Sequence, residues 1–123
     1  MPSREQIQTL ISYVEQGREV EAIRMFYAED AQTQENNAPP TVGLAALVEK
    51  EARFLESIGG MELSQGVSFI VDGDRAAINW IFEYATPAGQ RIHLDEIAYQ
   101  LWDGDKIVHE HYFYDTASLQ RHT

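Results

Sequence analysis

The chain contains no cysteine, so disulfides, thiolate catalysis and cysteine-ligated metals are excluded, and the composition suits a reducing cytoplasm. It is also poor in cations. Nine Lys and Arg stand against 20 Asp and Glu, a formal net charge of −11. Nucleic acids and anionic membrane surfaces both select basic patches, so neither is an expected partner. No apolar run approaches the roughly 18 residues that a membrane-spanning helix needs, and the opening MPSREQIQ is charged and helix-like rather than a secretory leader. There is no Gly-rich phosphate loop, no nucleophile elbow around any Ser and no HxxxH pattern. No cofactor is therefore expected. No repeat or linker interrupts the 123 residues, which read as one domain, 1–123, long enough for a single core.

What is present is a change of period midway. Ser3-Arg4-Glu5-Gln6 matches a capping box. Ile7, Leu10, Ile11 and Val14 follow at helical spacing, with Gly17 as the stop. A second short helix carries Val20, Ile23, Met25, Phe26 and Tyr27, and a short strand is expected over Gln32 to Asn36. Pro39-Pro40 forces a loop. Thr41 is a candidate cap for a third helix, along one side of which lie Leu44, Leu47, Val48, Glu51 and Leu55, ending at Gly59-Gly60.

From Met61 the period becomes two. Strands are expected over Gly66 to Val71 and Arg75 to Tyr84, then over two long segments within Arg91 to Asp115, joined at Asp103-Gly104-Asp105. Asp-Gly between alternating apolar runs is a strong hairpin signal, because Gly supplies the positive φ that the turn needs. Thr116 to Thr123 reads as a polar tail with room for one helical turn. The order is three helices and one early strand, then an antiparallel meander. This predicts an α+β fold with helices on one face of a curved sheet.

The functional signal is polarity on apolar strand faces. Glu96 and Gln100 share a face with Ile92, Leu94, Ala98 and Trp102, and Glu110 shares one with Val108, Tyr112 and Tyr114. A buried carboxylate must pair, protonate or meet water. Two of them together can split their pKa values into an acid and a base, or belong to a structural network with Tyr, Gln and Arg53 or Arg24. Trp80, Phe82, Trp102, Tyr112 and Tyr114 are either plain core or the walls of an apolar pocket. A one-residue slip at the Asp103–Asp105 turn would present His109 and His111 inward instead. In the expected register they lie outside with His93, Asn79, Ile81, Glu83, Ile97, Tyr99 and Phe113, a mixture suited to a dimer interface rather than to a metal site.

The element order, with FYAEDA at 26–31 and DG-KIVHEHYFYD at the end, resembles the nuclear transport factor 2-like superfamily. Within it the chain is most similar to the SnoaL-like proteins, relatives of ketosteroid isomerase and polyketide cyclases. The resemblance spans nearly the whole chain. It implies a cone-shaped α+β barrel, with three N-terminal helices packed on a curved, mostly antiparallel sheet around an apolar pocket. It also implies a homodimer, here through the outer sheet face. The position of the isomerase base falls on Glu35, with Asn37 beside it. The positions of the two oxyanion donors fall on Leu10 and near Ala98, which cannot donate, so steroid-type isomerisation is not implied.

The resulting expectation is a small-molecule protein taking a mostly apolar carbonyl or epoxide compound. It would act as a cofactor-independent isomerase, cyclase or hydrolase, with catalytic Glu35, Glu96 and Glu110 and a pocket of Asn37, Trp80, Phe82, Gln100, Trp102, Tyr112 and Tyr114. The alternative is a non-catalytic ligand-binding or dimerising module of the same fold.

Overall fold

The computed structural model describes residues 1–120. In chain order the elements are α1 (Arg4–Glu15), α2 (Glu19–Phe26), β1 (Tyr27–Glu35), β2 (Thr41–Val42), α3 (Leu44–Ser57), β3 (Met61–Asp72), β4 (Arg75–Ala85), β5 (Arg91–Asp103) and β6 (Lys106–Phe113), then a 3-10 turn over Thr116–Gln120. Residues 121–123 of the expected polar tail lie outside the described residues.

The helices begin and end as local chemistry dictates. Ser3 Oγ accepts from the Gln6 amide at 3.1 Å and Gln6 Oε1 accepts from the Ser3 amide at 2.8 Å, completing the capping box of α1. Gly17 ends it in the left-handed region at φ 77°. The third helix starts later than expected. Thr41 does not cap it, because Thr41 and Val42 are drawn into β2, where they pair with Thr33 and Gln32 of β1. Gly43, at φ 97°, then makes the corner into α3.

The six strands form one sheet in the order β2-β1-β6-β5-β4-β3. β1 and β6 run parallel and every other pair is antiparallel, so the sheet is mixed. The expected barrel is not formed. The sheet is open, with β2 and β3 as its edges. The reason is local. Pro39-Pro40 withhold amide donors on one side of β2 and α3 begins on the other, so β2 is only two residues long and offers no ladder toward β3.

The last hairpin falls in the expected register. Gln100 pairs with Glu110 and Asp103 with Lys106, around Gly104 at φ 61°. One bulge revises the inward set. Val108 is the extra residue where Leu101 pairs with His109 but Trp102 pairs with Ile107, so Ile107, not Val108, is fully buried.

Two hydrophobic clusters result. The larger joins Ile7, Leu10 and Ile11 of α1, Ala22 and Phe26 of α2 and Leu47 of α3 to Ile78, Trp80, Ala98, Trp102 and Ile107 of the sheet. The smaller holds Tyr84, Ile92 and Leu94 against Phe54, Ile58 and Phe82. Among the described residues no helix is long and apolar enough to cross a membrane.

Candidate active site

A cavity of about 390 Å³ opens where the two clusters meet, with members of both in its wall, among them Leu47 and Trp80 of one and Tyr84 and Leu94 of the other. Its volume is at the small end of the range for ligand pockets. Trp80 and Phe82 form a stacked wall, with ring centroids 5.5 Å apart. Into this apolar space point five glutamates: Glu19 from α2, Glu35 from β1, Glu51 from α3, Glu96 from β5 and Glu110 from β6. Lys50 is the one cationic side chain in the lining among the described residues.

The five are not equivalent. Glu110 is fully buried, yet its acceptors are filled. Tyr27 and Tyr112 hydroxyls donate to Oε1, and Gln100 Nε2 donates to Oε2 at 2.7 Å. Gln100 Oε1 in turn accepts from Trp102 Nε1 at 2.9 Å. Burial pushes the Glu110 carboxyl up and the three donors pull it back, with a net rise. Of the structural network that is one of the two sequence readings, Glu110, Gln100 and the tyrosines are joined, but Glu96 is not part of it and Arg53 turns outward to Glu49 at 2.5 Å.

Glu35 is opposite in character. Burial raises its pKa, but Lys50 Nζ at 2.6 Å and the Tyr114 hydroxyl at 2.7 Å outweigh that and hold it below the usual carboxylate range. It is ionised at neutral pH. Tyr114, partly buried against that charge, is held well above an ordinary phenol.

Glu96 and Glu51 are pushed the other way. Glu96 is 7% exposed and its carboxyl makes no hydrogen bond to the described residues. Burial first, then the charges of Glu110, Glu35 and Glu51, raise it to about 8. Glu51 is raised to about 7 by burial, with Glu19 and Glu35 adding to it. Glu19 is raised by burial, and its Oε1 is buried with no hydrogen-bond partner. One cavity is therefore lined both by an ionised carboxylate, Glu35, and by Glu96, whose carboxyl keeps its proton at neutral pH.

Of the residues expected from sequence, Glu35, Glu96, Glu110, Trp80, Phe82, Gln100, Tyr112 and Tyr114 line this cavity. Trp102 does not. It is core, 2% exposed, and reaches the site only by holding Gln100. Asn37 lies outside in a shallow depression that shares Glu35 and Tyr114 with the cavity mouth. Leu10 lines the cavity and Ala98 is wholly buried. Glu19, Tyr27, Lys50 and Glu51 were not anticipated. The interruption of the apolar side of α3 by Glu51 was the signal that could have found one of them. His93, His109 and His111 take the outer face. His93 pairs with Glu83 at 2.7 Å, and His111 Nε2 lies 2.7 Å from the Asn36 carbonyl. No group of three or more His, Cys, Asp or Glu placed to hold a metal occurs among the described residues.

This architecture is that of a SnoaL-like domain, and residues 7–110 match that family: the chain belongs to it. Comparison with curated proteins gives no match. Among solved structures, a protein from Mesorhizobium loti provisionally classed as a SnoaL-like polyketide cyclase is 24% identical, with a TM-score of 0.83 over 93% of this chain and 100% of that one. TerC, co-crystallised with polyporic acid, is 20% identical, with a TM-score of 0.80 over 94% and 93%. A Catenulispora acidiphila protein with a ketosteroid isomerase-like fold, in complex with trimethylamine, is 14% identical, with a TM-score of 0.79 over 95% and 90%. At these identities the likeness is one of fold.

Proposed function

We propose that the cavity binds a small, mostly apolar molecule and performs acid–base chemistry on its carbonyl or epoxide without a cofactor. One observation carries this reading: an ionised Glu35 and a neutral, unpartnered Glu96 face the same apolar space. Two carboxyls with pKa values pushed apart are the elements of a base and an acid. Glu35 takes a proton from the carbon next to a carbonyl, or from water. Glu96 donates its proton to the oxygen on which negative charge gathers. Trp80, Phe82 and Tyr112 hold the apolar body. Glu110 has no free acceptor and acts by fixing Tyr112 and Gln100. An isomerase, a cyclase and a hydrolase all use this arrangement.

A thermal-shift screen of ketones, lactones, epoxides and sterols identifies ligands by the rise in melting temperature on binding. Turnover of the hits by Glu35→Gln should then fall about 10²- to 10⁴-fold, the usual contribution of a general base, with the fold intact. Full activity in that variant refutes the assignment. The alternative is a non-catalytic binding module, favoured by Glu35 already being paired with Lys50. It requires ligand affinity to survive the combined change of Glu35, Glu96 and Glu110 to Gln.

We also infer a homodimer through the outer sheet face. Ile97 and Tyr99 of β5 and Phe113 of β6 are 41%, 42% and 47% exposed there, and Ile97 and Phe113 are direct cross-strand neighbours. This is an apolar centre with a polar rim.

A further inference from the structure

The cavity is apolar in its walls and acidic in its polar groups. A neutral ligand brings no counter-charge to these acids, and an anionic one meets them as repulsion. We propose that the substrate class of this site is an apolar molecule carrying one protonated amine, seated between Glu51 of α3 and Glu96 of β5 against the Trp80–Phe82 wall. This inference rests on the reading of the cavity as a ligand site, and it replaces the proton-donor role of Glu96, because a carboxylate that holds an ammonium has no proton to give.

Three observations point the same way. Glu96 is more than nine-tenths buried, lines the cavity and has no hydrogen-bond partner among the described residues. In the same lining Glu19, a partly buried residue, has its Oε1 atom buried and without a hydrogen-bond partner among the described residues. Lys50, the lining cation, pairs with Glu35 at 2.6 Å, and although its charge partly offsets the burial of Glu51, that acid stays raised. A buried acceptor left unpaired is costly, and an ammonium N–H⁺ is the donor that satisfies it most strongly. The aromatic faces of Trp80 and Phe82 add an electrostatic attraction for a cation that they lack for a neutral group.

The acids also fix the pH behaviour. Glu51 is faced by Glu19, Glu35, Lys50 and Glu110, and Glu96 by Glu110, Glu35 and Glu51. At pH 6 both hold protons, and a cation must displace them. As pH rises through about 7 and about 8 they ionise unaided, so affinity for a permanent cation rises over this range and then levels.

The test uses the whole chain and three cage compounds of one size. These are 1-adamantylamine, 1-adamantanol and 1-adamantanecarboxylate, which are cationic, neutral and anionic at pH 8. Isothermal titration calorimetry at pH 6, 7, 8 and 9 should show the amine binding at least about tenfold more tightly than the alcohol at pH 8, the step expected of one charge-assisted hydrogen bond. The carboxylate should not bind. The amine's affinity should climb from pH 6 to 9 with proton release, and Glu51→Gln with Glu96→Gln should reduce its preference over the alcohol to within about threefold. If the double change does not fold, the wild-type pH series decides alone. An alcohol that binds as well as the amine, with no pH dependence, overturns the inference and leaves the cavity reading intact. Failure of all three compounds to bind overturns both.

Discussion

Glu96 is the residue on which most of the proposed chemistry turns, and its environment makes a prediction independent of any ligand. Its ordinary pKa is 4.5, and in the folded chain it sits at about 8. Between those values the folded protein holds a proton that the unfolded chain has lost. Its contribution is therefore fully present below about 4.5 and is lost as pH rises through about 8, on the order of 5 kcal/mol. Glu51, at about 7, acts in the same direction. Glu35, held low, acts only on the acid side. Urea unfolding should give a higher midpoint at pH 5 than at pH 8.5, with Glu96→Gln flattening the profile and raising the pH 8.5 value. A flat wild-type profile contradicts the burial of this acid. Glu96 and Glu110 were readable in the sequence because a carboxylate on an alternating apolar face is anomalous. Glu19 was not, since a Glu in the first turn of a helix is ordinarily explained by the helix dipole. The Glu35–Lys50 pair was not either, because it depends on how the Pro39-Pro40 loop returns the chain.

At the scale of elements, the periodic segments were legible and the irregular ones were not. α1 has its capping box and apolar stripe where the sequence puts them, and β4 and β5 alternate as expected, while the bulge at Val108 breaks the alternation of β6. The sequence pattern predicts a strand of six residues, Gly66 to Val71, but β3 spans Met61–Asp72, because register shifts at 61–63 and 66–68 break the alternation that marks a strand. One of those shifts is where α1 rests on the sheet. A Cβ built on Gly66 would lie 2.6 Å from Ile11 Cγ2, and the Gly66 amide donates to Glu15 Oε2 at 3.0 Å. The absent side chain lets helix and strand approach. Gly66→Ala should destabilise the protein by about 1–3 kcal/mol, the usual cost of overfilling a core, with Ile11→Ala in the same chain recovering part of the loss. Chemical denaturation measures both. An unchanged midpoint in Gly66→Ala shows that α1 shifts freely over β3.

For the whole molecule, the resemblance foresaw the family and the pocket but overstated closure. Whether a sheet closes is decided by the two residues of β2 and the prolines before it, which no apolar pattern reports. The outer face of the open sheet carries the remaining prediction. Tyr99→Glu with Ile97→Glu places charge at the centre of the inferred interface. Sedimentation velocity should show the wild-type dimer become a monomer with unchanged secondary structure. A wild-type chain that sediments as a monomer refutes the interface.

The two tryptophans divide the labour of the molecule between them. Trp102 is sealed in the core with its indole N–H on Gln100, while Trp80 stands in the cavity wall stacked on Phe82. Their emission therefore reports different events. Whatever occupies the cavity alters the Trp80 signal and leaves the Trp102 signal as the record of an intact fold, so Trp80→Phe and Trp102→Phe separate occupancy from unfolding by intrinsic fluorescence, with no label added.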